Sequence, residues 1–209
     1  MREFSPEFQE ELFDLMRWRR DVRRFRTDPV DQALLARALS VFSLAPSVGL
    51  SEPWRLVSVE TAPMRARVLA NFEAANADAL AGYSGDKALQ YTRLKLSGMS
   101  DAPVQMAVFC DESTAKGSGL GRQTMPEMLP YSVVSALMLF WLDARAKGLG
   151  VGWVSILDPD RLRRDLDVPV SWSLVAYLCI GWPEASQETP ELEQLGWEAR
   201  SPQLEMIHR

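Results

Sequence analysis

Histidine is nearly missing from this chain of 209 residues, and the one present is His208, next to the C-terminal residue. A Ser-His-Asp triad or a His-containing metal centre has nothing to be built from in the body of the chain, so no metal is expected. Cysteine is almost as scarce. Cys110 and Cys179 lie in apolar, strand-like runs without metal-ligand spacing, and read as buried thiols in a reducing compartment. No apolar run reaches the roughly 20 residues needed to cross a bilayer, and Met1–Ser5 lacks the apolar core of a signal peptide. The expected location is the cytoplasm, with no membrane partner. Basic residues are outnumbered, 23 Lys and Arg against 28 Asp and Glu, and this acidic balance argues against general nucleic-acid binding. There is no internal repeat and no low-complexity segment.

What remains is the composition of a globular protein, 47% hydrophobic and 24% charged, long enough for one domain spanning residues 1–209 with a core of its own. Seven tryptophans are many for that length, and some are candidates to line a ligand pocket. Strand-like and helix-like stretches alternate irregularly. This suits an α+β fold, a sheet flanked by helices, better than a doubly wound one.

The stretch with the clearest chemistry is Trp18-Arg19-Arg20-Asp21-Val22-Arg23-Arg24-Phe25, four arginines within six residues and a carboxylate among them. Guanidinium forks bind phosphate or carboxylate through paired, charge-assisted hydrogen bonds of roughly 1.5–3 kcal/mol each. The plain alternative is a solvated basic helix end. The preceding helix is expected to start at Ser5-Pro6, a cap followed by proline in the first turn, with Phe8, Leu12, Leu15 and Met16 at helical spacing. The arginines then fall where that helix meets a strand-like Val22–Phe25 segment, a place suited to an anion.

Further along, Asp31 is placed to cap a helix bearing Leu34, Leu35, Ala38, Leu39 and Phe42, and Ser43 stands at its polar end. Ala45-Pro46-Ser47 through Pro53-Trp54 is a shaped loop leading into a Trp54–Glu60 strand. A helix from Pro63 to Leu80 precedes a glycine-bracketed segment, residues 82–101, that reads as a lid, or equally by composition as a surface helix, with Arg93 and Lys95 as candidate ligand contacts. Val104–Cys110 is a buried strand. Gly117, Gly119 and Gly121 lack the Lys-Ser/Thr of a nucleotide-triphosphate loop. Tyr131–Lys147 is apolar nearly all round, as a central buried helix is, and ends in Lys147-Gly148. In Gly150-Val151-Gly152-Trp153-Val154-Ser155 the glycines permit close backbone approach to a flat ligand, with Trp153 and Ser155 on one face of a strand. A buried strand with one satisfied serine is the alternative there. Asp158-Pro159 opens a short helix, Trp172–Trp182 is a strand, and an extended tail, residues 184–209, carries Gly196-Trp197-Glu198-Ala199-Arg200.

Arg19-Arg20-Asp21-Val22-Arg23-Arg24-Phe25 resembles the flavin-phosphate motif of the nitroreductase-like flavoproteins, usually Arg-Arg-Ser-x-Arg-x-Phe, with Asp21 in place of the serine. Ala45-Pro46-Ser47 followed by Pro53-Trp54 resembles that family's second flavin loop, although Leu50 and Glu52 stand where many nitroreductases have asparagine and glutamine. Asp21, Gly152-Trp153-Val154-Ser155 and Gly196-Trp197-Glu198-x-Arg200 resemble one branch, which breaks reduced FMN down with dioxygen to 5,6-dimethylbenzimidazole and erythrose 4-phosphate for the lower ligand of vitamin B12. The likeness runs from about Met16 to Arg200.

The resemblance implies a nitroreductase-like fold, a central mixed or antiparallel sheet with helices around a long buried one, in an intertwined homodimer with FMN at the interface. It implies Arg19, Arg20 and Arg23, within the segment that includes Val22, at the flavin phosphate, with Arg200 assisting. Pro46, Ser47 and Trp153 would shape the ring slot, with Ser43 and Arg93 as further contacts. Asp21 and Ser155 would be the catalytic pair. FMN in its reduced form would be the substrate, dioxygen the co-substrate, and a separate flavin reductase the supplier. An aspartate among arginines is expected to stay ionised, as a base or as a brace for the arginines. An NAD(P)H-dependent nitro- or quinone reductase, or a non-catalytic flavin-binding protein, are the alternatives.

Overall fold

The computed structural model describes residues 2–94, 97–201 and 203–209, leaving aside the side chain of Arg93. Among the described residues the strands are β1 (Trp54–Ser58), β2 (Val104–Asp111), β3 (Gly150–Val154) and β4 (Trp172–Gly181). They form one sheet in the order β1-β2-β4-β3, each neighbouring pair antiparallel. Alternation along the central strands sends Met106, Val108, Leu178 and Ile180 to one face and Ala107, Phe109, Tyr177 and Cys179 to the other. Both faces are covered, which is why these strands read as unbroken apolar runs rather than alternating ones. Against the first face lie α2 (Gln32–Leu39) and α6 (Met128–Ala146); against the second lie α3 (Ala62–Ala81) and α7 (Pro159–Asp165). Between α3 and β2 run α4 (Gly85–Arg93) and α5 (Gly98–Asp101), and α8 (Glu191–Gln194) sits in the tail.

The helix ends follow the sequence signals. Ser5 caps α1 (Pro6–Trp18) by accepting from the Phe8 amide at 3.3 Å, and Asp31 caps α2 by accepting from Leu34 at 2.8 Å. Asp158 accepts from Asp160 and Arg161 at the start of α7. At the far end of α6, Gly148 takes φ +80, and the Gly148 and Leu149 amides bond back to Arg145 and Ala144, both at 2.9 Å.

Four expectations are corrected. The long helix begins at Met128 rather than Tyr131, because Pro130 falls in its first turn, where its missing N–H breaks no intrahelical bond. Nor is that helix buried all round: eight residues are buried, but Tyr131 (54%), Val134 and Leu139 (both 36%) remain exposed. Residues 22–25 make no strand. Single bridges join Asp21 to Val151 and Phe25 to Pro183, after which Phe25 turns into the core at 2% exposure. β1 and β4 stop at Ser58 and Gly181, short of Glu60 and Trp182. No residue of α1 is buried, so its apolar stripe of Phe8, Leu12 and Met16 lies open on the protomer.

Candidate active site

The edge of β3 holds the site together. Val22 donates its amide to the Val151 carbonyl at 3.1 Å, which lays residues 21–22 alongside the strand. In that register Asp21 Oδ1 accepts the Trp153 amide at 2.9 Å. Gly150 and Gly152 make the approach possible. A Cβ on Gly152 would stand 2.2 Å from the Val22 carbonyl oxygen, and one on Gly150 would stand 2.8 Å from a Val22 methyl. Within the protomer the group these glycines admit is Val22, its carbonyl against Gly152 and its side chain against Gly150.

Around Asp21 the arginines converge on one cleft, lined by Trp18, Arg20, Asp21, Arg23, Trp141 and Glu191 among others. Arg23 Nε lies 3.6 Å from Asp21 Oδ2 and 3.9 Å from Glu191 Oε2, and Arg24 pairs with Glu191 at 3.0 Å. Arg23, which lines the cleft, has a buried Nη1 without a hydrogen-bond partner among the described residues. The Arg19 guanidinium lies over the Trp141 ring at 4.8 Å, and Arg20 Nε donates to the Glu188 carbonyl at 2.5 Å. Burial lowers the pKa of Arg19 and of Arg20, and the nearby charge of Arg200 lowers both further, so the tail brings a third guanidinium to this pair. Like charges held together in this way call for an anion.

The proton affinity of Asp21 is not set by the arginines alone. Burial raises its pKa, although the Trp153 amide and then Arg23 and Arg19 act in the opposite direction. Desolvation outweighs the arginines, so the carboxylate is a stronger proton acceptor than an ordinary aspartate. The same burial pushes the Cys110 and Cys179 thiols up to about 12, leaving neither as a nucleophile near neutrality.

Trp153 packs beside Trp141, ring centroids 6.2 Å apart, on the face of β3 toward α6. Ser155 lies one residue past the end of β3 and is exposed, so it is not the satisfied strand serine that the sequence offered as an alternative. The second loop is elsewhere. Ser43 donates to the Ser40 carbonyl at 2.7 Å within a short 3-10 turn, Pro46 is exposed, and Ser47 Oγ accepts the Glu52 amide at 3.1 Å. None of the three lines the arginine cleft. The loop carries backbone strain at Leu50 (φ +57) and Glu52 (φ +44), where a left-handed conformation costs roughly 1–2 kcal/mol for a residue with a side chain. Gly117 of the glycine-rich loop interlocks with it, since a Cβ there would meet the Gly49 carbonyl at 2.7 Å. That motif is a buttress. Arg93 ends α4, and its side chain, like Lys95, lies outside the described residues.

Sequence reasoning missed Glu188, Glu191, Trp141 and Arg145, all within or beside the cleft. The two glutamates were visible as acidic residues in a polar tail, the natural counter-charges for an arginine cluster. Among the described residues no group of three His, Cys, Asp or Glu side chains is placed to hold a metal ion, and no helix is long and apolar enough to cross a membrane.

The chain is 53% identical over 199 residues to a 5,6-dimethylbenzimidazole synthase of Rhodospirillum rubrum, covering 95% of this chain and 94% of that protein. It is 47% identical to one of Rhodobacter capsulatus, covering 95% and 96%. Among solved structures, iodotyrosine deiodinase bound to FMN and 3-iodo-L-tyrosine superposes with a TM-score of 0.73 at 23% identity, covering 95% of this chain and 97% of that one. A nitroreductase-like protein of Streptococcus mutans gives 0.72 at 18% identity, covering 96% and 100%. Since the Nitroreductase family model matches residues 16–182, the chain belongs to the nitroreductase family, within which it lies beside the 5,6-dimethylbenzimidazole synthases.

Proposed function

We propose that this chain is an enzyme that fragments reduced FMN with dioxygen to 5,6-dimethylbenzimidazole and erythrose 4-phosphate. The observation that carries this reading is Asp21, a carboxylate locked to the Trp153 amide among the arginines, where most nitroreductases have a serine. The name of the relatives alike over nearly the full chain supports it. The cleft fits a flavin phosphate: Arg23 offers an unpartnered buried Nη1, and Arg19, Arg20 and Arg200 supply further positive charge. Bound reduced FMN supplies the electrons for dioxygen, and a separate flavin reductase would deliver it.

The protein's own part is placement and proton handling. Arg19, Arg20 and Arg23 hold the phosphate end, with Arg200 beside them. Asp21 Oδ1 is committed to the Trp153 amide, which leaves Oδ2, braced by Arg23, to take a proton or fix the ribityl chain. The exposed Ser155 hydroxyl is a hydrogen-bond partner for the reacting ring, and Trp153 forms one wall of its slot.

The other wall comes from a second copy. Ser132, near the start of α6, accepts the Val48 amide at 3.0 Å and so fixes the Pro46–Ser47 loop at that end. Trp141 and Arg145, at the cleft, are nine and thirteen residues further along the helix. At 1.5 Å per residue the two half-sites are about 14–20 Å apart in one protomer. A homodimer whose partner loop faces the arginines would complete the site, and the open faces of α1 and α6 are apolar enough to bury in it.

The test is Asp21→Asn, which preserves size and hydrogen bonding. At saturating reduced FMN it should bind flavin and consume dioxygen while losing 5,6-dimethylbenzimidazole by about 10²–10⁴-fold, the usual cost of a missing general base. An unchanged product yield would remove Asp21 from the chemistry.

A further inference from the structure

The tail is tied at two points to different parts of the molecule. At its first point Glu191, whose side chain is only 12% exposed, lies 3.0 Å from Arg24 Nη1 and 3.9 Å from Arg23 Nε. Six residues on, Trp197 is seated on α4. Lys87 Nζ lies 4.6 Å from the indole centroid and donates to the Trp197 carbonyl at 2.5 Å. Tyr83 meets the indole edge-on at 5.5 Å and Tyr91 at 6.3 Å, while the two tyrosines stack at 5.0 Å. Tyr91 is anchored in turn, donating its hydroxyl to Asn76 of α3 at 2.8 Å. Two tyrosine rings, a cation over the indole and a hydrogen bond to its carbonyl make this a defined docking rather than a loose contact.

The connection between the two points is stiff. The Trp197 amide donates to the Leu192 carbonyl at 2.8 Å and the Gly196 amide to that of Glu193 at 3.0 Å, with Gly196 at φ +71. That pair of bonds around a left-handed glycine is the Schellman ending of a helix. Glu191 is the first residue of α8 and Trp197 the one that closes it, so a single capped turn fixes both side chains relative to one another. Three residues later the chain reaches Arg200, whose charge is felt at Arg19 and Arg20.

We propose that Trp197 is a positioning residue for the phosphate site: seated on α4, it sets through α8 the place of Glu191 against Arg23 and Arg24, and of Arg200 beside Arg19 and Arg20. The inference rests on the assignment of the FMN phosphate to these arginines and adds that α4 and the arginines are arranged as one unit. A ligand bearing the phosphate then stabilises the seating of Trp197, and one lacking it does not.

The test compares FMN with riboflavin on the full chain, by quenching of flavin fluorescence, for wild type, Trp197→Ala, Trp197→Phe, Lys87→Ala and Arg20→Ala. Trp197→Ala should weaken FMN about tenfold or more, equivalent to about 1.4 kcal/mol, and leave riboflavin within about twofold. Trp197→Phe should stay near wild type. Lys87→Ala, which lies on α4 outside the cleft, should shift the FMN-to-riboflavin ratio in the same direction, and decides the matter if Trp197→Ala does not fold. Hydrogen exchange should show amides of residues 83–92 protected by FMN and not by riboflavin in the wild type. Equal losses for both ligands would mean that Trp197 only packs the tail, and would overturn the proposal, as would no loss at all. If Arg20→Ala lowers the ratio and neither Trp197→Ala nor Lys87→Ala does, the phosphate assignment stands and the coupling fails. If Arg20→Ala leaves the ratio unchanged, the phosphate assignment is wrong and the coupling falls with it.

Discussion

At the scale of single residues, Asp21 carries opposing demands. Its position was readable from the sequence, since a carboxylate inside an arginine motif stands out. The direction of its pKa shift was not, because charge count favours ionisation while burial, known only once the chain is packed, opposes it and wins. The folded chain therefore keeps the Asp21 proton to higher pH than the unfolded chain, whose aspartates ionise near about 3.9. Stability from this group is fully present below that value, falls as pH rises through the raised folded pKa, and stays lower above it. Without flavin, Asp21→Asn should then melt higher than wild type at pH 7, with the gap closing toward about pH 4. A side chain still 37% exposed keeps the effect small. Thermal melts across that range check it, and a gap independent of pH would contradict the burial argument. Ser155, by contrast, was legible as a residue but not as an exposed one, because where β3 ends depends on pairing with β4 and not on composition.

At the scale of elements, β3 shows what periodicity cannot. Its glycines signalled close approach, and close approach is what the structure has, the approaching group being Val22, by its carbonyl at Gly152 and its side chain at Gly150. A glycine announces that something comes near without saying what. Gly152→Ala would place a methyl against the Val22 carbonyl and force the 21–22 segment off the strand edge. Overpacking of this kind costs about 1–3 kcal/mol. The variant should fold with a lowered melting temperature, keep riboflavin binding, and lose product formation at least as far as Asp21→Asn, because the Asp21–Trp153 bond is broken. Normal product yield in a destabilised Gly152→Ala would show that the register of residues 21–22 is not needed. The helices were legible through their caps at Ser5, Asp31 and Asp158. The four residues of α8 were not, since one turn in a polar tail leaves no hydrophobic period, and its Schellman ending shows only in its hydrogen bonds.

At the scale of the whole molecule, the α+β class followed from irregular alternation of strand and helix, and the antiparallel sheet bears it out. What one chain's sequence gave least access to is the distance between the two flavin-contact segments, because proximity in a shared motif list is not proximity in a protomer. Their separation along α6 and the uncovered stripe of α1 suit the proposed dimer, in which each flavin would touch one segment from each copy. Sedimentation should find a dimer at micromolar concentration, and a stable monomer binding one FMN per chain with unchanged affinity would contradict the shared site. The central claim is that flavin is consumed and not recycled. It is tested most directly by reducing protein-bound FMN anaerobically with light, admitting air, and identifying the products by mass. The expected products are 5,6-dimethylbenzimidazole and erythrose 4-phosphate with loss of FMN; recovery of intact FMN with hydrogen peroxide, together with rapid NAD(P)H turnover, would contradict that claim.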